Sequence, residues 1–549
     1  MTAAIAPSPQ PLDQGNGRAA ARALLGRLSL PQQLEGPCHA ILARLFTGLA
    51  EGDVTSVLDA AEQRELLPAL GEAELLDRVE ESADPSGWGL SAATPAQPRP
   101  LVWHHGQLWL RRYWEAQQRV LQMVAERAAT ASDLAGPGSD SGDHWLGMGR
   151  TPGHDAAMEQ WLERQLLVLT GGPGCGKTTL VGLLLLAELR QRRDRRIALA
   201  APTGKAAARL QDALHDCAVR IGQASQALLS LRAVTLHRLL ETGPRGHGRD
   251  RGRPLEADVV VVDEASMVDL PMLDGLLQAL PSRARLLLIG DPAQLPAIGP
   301  GAPLEAVVRQ GKGVVTLTHG FRNDGAIATV AALLRQRAGN DPGRAELTAT
   351  ALVGRLRELA PDDNLHWQEY VPPQLPAGLE HTVRAHVERL RQLACDAELA
   401  AECQLQALED LVLLSPLRRG GWGVEILNRR FLGNAPSGRW PAGTPILCLR
   451  NAPALDLANG DVGLVLPGET ALFRTAQGRR QVSLQRLPPC EQALALTIHK
   501  SQGSQYRQVV VLLPAAERQA LDRRLLYTAL TRARGRVVLI TAPGCLSAG

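Results

Sequence analysis

From about residue 160 onward the chain alternates short, continuously apolar runs with longer stretches of helical periodicity. The runs are LLVLT at 166, IALAAP at 197, DVVVVDE at 258, RLLLIGD at 285, LVLLSP at 411, QVVVLLP at 508 and RVVLITAP at 536. A strand with one face in water alternates apolar and polar residues. These do not, so they are expected to be buried on both faces, in parallel sheets with helices packed on either side. Two α/β domains accommodate them. Residues 440–490 read differently: NGDVG, PGET and QGRR turn signals separate short alternating runs and predict a small β-rich insertion in the second domain. Residues 132–153 are rich in Gly, Ser and Asp, the composition of a connecting segment. The pattern divides the chain into an N-terminal, mainly helical domain (1–115), a connecting helix and linker (116–153), a first α/β domain (154–335) and a second (336–549).

Composition narrows the class. Apolar residues make up 45% of the 549 and charged residues 21%, which excludes a mainly disordered or fibrous chain. The apolar run 183–186 is soon broken by Glu188 and the arginines at 190, 192 and 193, far short of the roughly 18 residues a membrane span needs, so no membrane association is expected. The N-terminal MTAAIAPSPQPLDQ has neither a basic n-region nor an apolar h-region. The eight cysteines form no CxxC pair and suit reduced thiols, so a cytoplasmic location is expected. Net charge is uneven. Residues 1–150 hold 12 arginines against 18 acidic residues, net −6; the whole chain is +3, which leaves +9 for residues 151–549. A polyanion partner belongs to the later part. Only four of the 59 basic residues are lysines, at 177, 205, 312 and 500. A chain that otherwise uses arginine keeps lysine where a compact ammonium is required.

The segment LLVLTGGPGCGKTTL (166–180) is strand, glycine-rich loop and helix start, with G-x-x-x-x-G-K-[ST] from Gly171 to Thr178. Gly171, Gly172, Pro173, Gly174, Cys175, Gly176, Lys177, Thr178 and Thr179 form the expected phosphate loop. Its glycines let backbone N–H groups converge on phosphate oxygens, Lys177 reaches the β/γ phosphates, and the Thr178 hydroxyl binds Mg²⁺ at the helix N-terminus. DVVVVDEAS (258–266) ends a buried strand in two carboxylates. There Asp263 is expected in the Mg²⁺ shell and Glu264 to orient an attacking water. ATP and Mg²⁺ are thus the expected cofactors.

Other motifs are APTGKAAARL (201–210), TLHRLL (235–240), GDPAQLP (290–296), HGFRND (319–324), TIHKSQGSQY (497–506) and LYTALTRAR (526–534). In this order the series resembles that of superfamily 1 helicases, and most closely the RecD family, the alpha subunits of RecBCD (exonuclease V) complexes. PLVWHHGQLWLRRYW at 100, LSPLRRGGWGVEILNRRF at 414 and NGDVGLV at 459 also look like RecD segments, so the resemblance covers most of the chain. It implies two RecA-like P-loop domains, an SH3-like character for the insertion at 440–490, and ATP-driven 5′-to-3′ movement along DNA with unwinding of the duplex ahead. It further implies that ATP lies between the domains, that Gln294 senses the γ-phosphate and that Arg322 and Arg532 act as arginine fingers. Phe321 would stack on adenine, and Gly503 and Gln505 would border the nucleotide. Pro202, Thr203, Lys205, Thr235, His237, Thr497, His499 and Lys500 would line the single-stranded DNA face.

The implied partners are single-stranded and duplex DNA ends and RecB-like and RecC-like subunits, with DNA cleavage assigned to a partner. Residues 244–253 hold four arginines and one aspartate. By resemblance the insertion around them (242–256) is a small hairpin at the DNA fork; an ordinary basic loop is the alternative. Two positions depart from the family. His154 stands near the place where related helicases often carry an adenine-reading glutamine, with Gln160 the next glutamine, and Gln505 replaces the usual glutamate. Five of the nine tryptophans, at 88, 103, 109, 114 and 145, lie in the acidic N-terminal part. A protein-docking module is expected there, with core filling as the alternative. A stand-alone RecD-like helicase, an RNA translocase and a catalytically inert assembly subunit are the competing functions.

Overall fold

A computed structural model describes residues 32–50, 52–72, 75–79, 98–104, 106–133, 151–221, 226–243, 246–318, 325–335, 342–360, 363–396, 398–436, 438–475, 478–514 and 522–546. Among them, the N-terminal part contains β1 (Thr55–Val57), β2 (Leu76–Arg78), β3 (Leu101–His104) and β4 (Gln107–Leu110), in the order β1-β4-β3-β2. Helices Gln32–Ala50 and Ala60–Glu72 accompany this sheet, and helix Arg111–Ala129 follows it. The helices expected there are thus joined by a sheet. Its strands of three or four residues are too short for a periodicity to register.

The first large sheet has six strands: β5 (Leu166–Gly171), β6 (Ile197–Ala201), β7 (Ala233–Thr235), β8 (Val259–Val262), β9 (Arg285–Gly290) and β10 (Val314–Leu317). All pair in parallel, in the order β10-β5-β9-β8-β6-β7. Each apolar run feeds two cores. Leu166, Val168, Val260, Val262, Leu286 and Leu288 face one core, and Leu167, Leu169, Val259, Val261, Leu287 and Ile289 the other. This alternation between two apolar layers is why the runs lack polar positions. The first core also takes in Leu108, Trp109, Tyr113, Trp114, Val120 and Val124, so helix Arg111–Ala129 packs on the sheet itself. The boundary expected at residue 115 therefore falls inside a helix of this core.

The second large sheet is also all parallel: β11 (Leu365–Glu369), β12 (Leu411–Ser415), β18 (Ala495–Thr497), β19 (Tyr506–Leu513) and β20 (Ala533–Thr541), ordered β11-β20-β19-β12-β18. Val509 and Val511 face one core, Val510 and Leu512 the other. The first of these cores includes Ala326, Ile327, Val330 and Leu334. Helix Ala326–Arg335 thus belongs with the second sheet, and the boundary expected at 335 falls one helix too late. Between β12 and β18 lies the β-rich segment: β13 (Pro445–Cys448), β14 (Val462–Leu466), β15 (Thr470–Thr475), β16 (Gly478–Ser483) and β17 (Cys490–Gln492). These form an antiparallel sheet in the order β16-β15-β14-β13-β17. It reaches the first sheet: a Cβ on Gly204, at the start of helix Gly204–Ile221, would lie 2.6 Å from the Ala458 Cβ.

Candidate nucleotide site between the two sheets

Three neighbouring strands of the first sheet, β5, β9 and β8, end at one cleft, as ligand sites do outside the carboxyl ends of parallel strands. After β5 the loop turns through Gly174 (φ 81°) and Gly176 (φ 77°) into helix Lys177–Gln191. Those left-handed conformations cost glycine nothing and disfavour a side chain. Lys177 Nζ donates to the carbonyls of Gly171 (2.7 Å) and Gly172 (2.8 Å). After β8, Glu264 itself adopts a left-handed conformation (φ 50°), and its N–H donates to Asp263 Oδ1 at 2.9 Å. A glutamate there stores backbone strain of order 1–3 kcal/mol, a feature that clusters at functional sites. Burial, and then the neighbouring Glu264, push the Asp263 carboxyl above the usual carboxylate range, against the opposing pull of Lys177 and Arg209. The Thr178 hydroxyl and the Asp263 carboxyl line the same cleft and supply hard oxygen donors, so the residues fit a Mg²⁺ ion.

The second sheet closes the cleft. Pro173, Gly174, Gly176, Lys177, Thr178, Thr179, Asp263, Glu264, Asp291 and Gln294 face Gln505 and Arg532 across it. Arg532 is buried; its guanidinium donates to Gln294 Oε1 (2.8 Å), Ser504 O (3.2 Å) and Thr528 O (3.1 Å). The Thr528 hydroxyl accepts from Leu295 N (2.9 Å), and Gln502 Nε2 donates to Leu295 O (2.8 Å). Gln505 accepts twice, its carbonyl from Arg209 (3.4 Å) and its Oε1 from Arg534 (3.1 Å). Cys175 is buried in the loop, which pushes its thiol up. Phe321 and Arg322 lie outside the described residues.

His154 is buried in helix Pro152–Glu163, with Nδ1 2.7 Å from Thr151 Oγ1, and Gln160 donates to Leu166 O (3.2 Å). Neither lines the cleft.

The residues expected on the DNA face also sit at strand ends. Pro202 and Thr203 follow β6, and Thr235 ends β7, whose register pairs it with Ala201. Thr203 Oγ1 accepts from Ala206 N (3.1 Å), and Thr235 Oγ1 from Arg238 N (3.2 Å), so each hydroxyl caps the helix that follows. Thr497 ends β18; its hydroxyl accepts from Lys500 N (3.3 Å). Lys205 Nζ lies 5.8 Å from the Tyr506 ring, and Gly503 would bring a Cβ within 3.7 Å of Thr203 Oγ1, so these two groups meet across the sheets. His237 is exposed, whereas burial lowers the basicity of His499. Lys500 Nζ is held by Glu491 at 2.6 Å.

In the basic insertion Arg249 (2.8 Å) and Arg253 (2.8 Å) both pair with Glu241, and Arg251 is exposed. Its backbone makes a bridge between Gly243 and Gly246 and a double hydrogen bond between Asp250 and Arg253. The described part of the insertion is therefore turned back on itself, with two of its arginines paired to Glu241 just before it.

Asp291, Arg209 and Tyr527 each lie inside one of the sequence motifs, GDPAQLP, APTGKAAARL and LYTALTRAR, but no local spacing signals a role for them. Their significance rests on contacts to the other sheet.

Two parallel sheets facing each other across a phosphate loop and a carboxylate pair define a P-loop motor protein. The AAA domain model matches residues 154–300 and the UvrD-like helicase C-terminal domain model residues 492–540. The RecBCD enzyme subunit RecD of Mycolicibacterium smegmatis is 37% identical over 491 residues, 84% of this chain and 83% of that protein. Its counterpart in Mycobacterium tuberculosis is 36% identical over 489 residues, 83% and 80% respectively. The ATP-dependent RecD2 DNA helicase of Deinococcus radiodurans is 29% identical over 446 residues, 78% of this chain and 54% of that protein. The chain belongs to the RecD family.

Proposed function

We propose that this chain is an ATP-dependent 5′-to-3′ DNA helicase, the RecD-like subunit of a RecBCD-type helicase–nuclease that acts on duplex DNA ends in double-strand-break repair and recombination. Its partners are RecB-like and RecC-like subunits, and its compartment is the cytoplasm. Among the described residues no helix is long and apolar enough to cross a membrane. The observation that carries the reading is the cleft, where the phosphate loop and the Asp263–Glu264 pair of one sheet face Arg532 of the other.

In this reading the loop amides hold the ATP phosphates, and Lys177 exchanges the Gly171 and Gly172 carbonyls for phosphate oxygens. Thr178 and Asp263 hold Mg²⁺, which supplies positive charge at those oxygens. Glu264 orients the attacking water. Gln294 reads the γ-phosphate, and Arg532, with Arg322, stabilises charge that develops as the bond breaks. Phe321 stacks on adenine; Gly503 and Gln505 complete the rim. Pro202, Thr203, Lys205, Thr235 and His237 on one sheet and Thr497, His499 and Lys500 on the other grip single-stranded DNA. Closure on ATP and opening after hydrolysis then alternate the grip between the two sheets and move the strand. Residues 242–256 separate the strands at the fork, the antiparallel insertion is SH3-like, and the acidic N-terminal region docks on a partner.

The test is DNA-stimulated ATP hydrolysis and duplex unwinding by the chain, alone and with RecB-like and RecC-like subunits. Hydrolysis should rise with single-stranded DNA, and 5′-tailed duplexes should be opened in preference to 3′-tailed ones. Glu264→Gln should bind nucleotide without turnover. Turnover retained by that variant would overturn the site assignment, and a preference for 3′ tails would overturn the polarity.

A further inference from the structure

Tyr527, on helix Arg523–Leu530 of the second sheet, reaches across the interface. Its hydroxyl donates to Asp291 Oδ2 at 2.6 Å, and both residues are 1% exposed. The other carboxylate oxygen, Asp291 Oδ1, accepts from Ala293 N at 3.1 Å, and the Asp291 carbonyl accepts from Gln294 N at 3.0 Å. Asp291 thus shapes the turn after β9 that presents Gln294 to the cleft, and Tyr527 anchors Asp291. The same hydroxyl borders the phosphate loop: a Cβ added to Gly172 would lie 3.3 Å from Tyr527 Oη and 3.3 Å from an Arg335 guanidinium nitrogen, which leaves little room for a side chain there. One buried hydroxyl therefore bonds to the turn after β9 and borders the loop after β5 while belonging to the sheet opposite. Burial and the adjacent carboxylate keep it protonated, so it serves as a donor.

We propose that Tyr527 is a positioning residue for ATP hydrolysis, whose hydroxyl holds Asp291, and through it the Gln294 turn, in register with the phosphate loop when the two sheets close. The inference rests on the ATPase reading and adds to it the group that transmits closure to the γ-phosphate end of the pocket. A hydrogen bond to a charged partner is strong enough for its loss to be read in turnover.

The test uses the full-length chain, with ATP varied at saturating single-stranded DNA. Tyr527→Phe keeps the ring and its packing but removes the donor. It should lower kcat on the order of tenfold while KM for ATP stays within about twofold, because the group acts on the turn and touches no phosphate. If Tyr527 acts through Asp291, the Tyr527→Phe, Asp291→Ala double variant should be no slower than Asp291→Ala alone. Unchanged kcat in Tyr527→Phe, a change confined to KM, or full additivity in the double variant would each overturn the positioning role. Glu264→Gln, run beside them, separates the two readings. If it stops turnover while Tyr527→Phe does not, the ATPase reading stands and the positioning role falls. If the parent chain shows no DNA-stimulated hydrolysis, both fall.

Discussion

Arg532 and Gln294 are 238 residues apart in sequence and 2.8 Å apart in the fold, the guanidinium of the second sheet donating to the side-chain carbonyl of the first. The pair joins, side chain to side chain, the two groups proposed to meet the γ-phosphate. Arg532→Ala should lower kcat for hydrolysis by about 10³ to 10⁵, the range an arginine finger contributes. Arg532→Lys should restore little of it, because the single nitrogen of an ammonium cannot reach the three acceptors that the guanidinium meets with three separate nitrogens, Gln294, Ser504 and Thr528. Steady-state kinetics decide: a change in KM alone would make Arg532 a ground-state binding group.

The N-terminal region and the first sheet share one core, so removing the first should damage the second. Trp109 and Trp114 are 7% and 4% exposed within the core that also holds Val260 and Leu286. A chain beginning at residue 115 should lose cooperative unfolding and ATPase activity together. Trp114→Ala should destabilise by roughly 3–5 kcal/mol, measured by denaturant unfolding. A truncated chain with a normal transition midpoint and full activity would refute this coupling. Trp88 and Trp145 lie outside the described residues, so the docking role keeps its test in exposed N-terminal residues.

Replacing residues 244–253 with a short Gly/Ser turn should spare ATP hydrolysis and translocation on single strands but impair unwinding of a 5′-tailed duplex. Two of the arginines in that segment are already paired with Glu241, so loss of phosphate contacts should be a minor part of the defect. Unwinding measured at saturating DNA and at two salt concentrations separates the contributions. Equal unwinding by variant and parent would make the insertion an ordinary loop.

His386, on helix Ala377–Cys395, is buried, which pushes its imidazole down to about 4; Arg389 and Arg507 act in the same direction and Asp410 opposes them. The unfolded chain takes up this proton near pH 6.5 and the folded chain only near 4. Its contribution to stability is therefore complete above pH 6.5 and falls as pH drops toward 4, by roughly 3 kcal/mol at most. Urea unfolding from pH 7.5 to 5 should show a steeper loss of stability for the parent than for His386→Gln. Parallel curves would show that the site is hydrated in solution.

The sequence by itself determined the strands and the glycine-rich loop that follows the first of them. A strand buried on both faces must be apolar at consecutive positions, and Val259–Val262 or Leu166–Thr170 can be little else. A loop that wraps phosphate needs glycines at left-handed positions, and its spacing to Lys177 and Thr178 is local. Tertiary structure decided whatever depends on contact between distant segments. Helix Ala326–Arg335 is amphipathic on its own account, and only the packing of Ile327 and Val330 assigns it to the second sheet. The tryptophans of the N-terminal region read equally well as a docking surface or as a core, because hydrophobicity does not say which apolar face a ring will meet. Tyr527 and Asp291 each stood inside a recognisable motif, yet their hydrogen bond exists only when the two sheets lie face to face. A hydrogen bond depends on a distance of under 3 Å, and sequence spacing carries no such information between residues on different sheets.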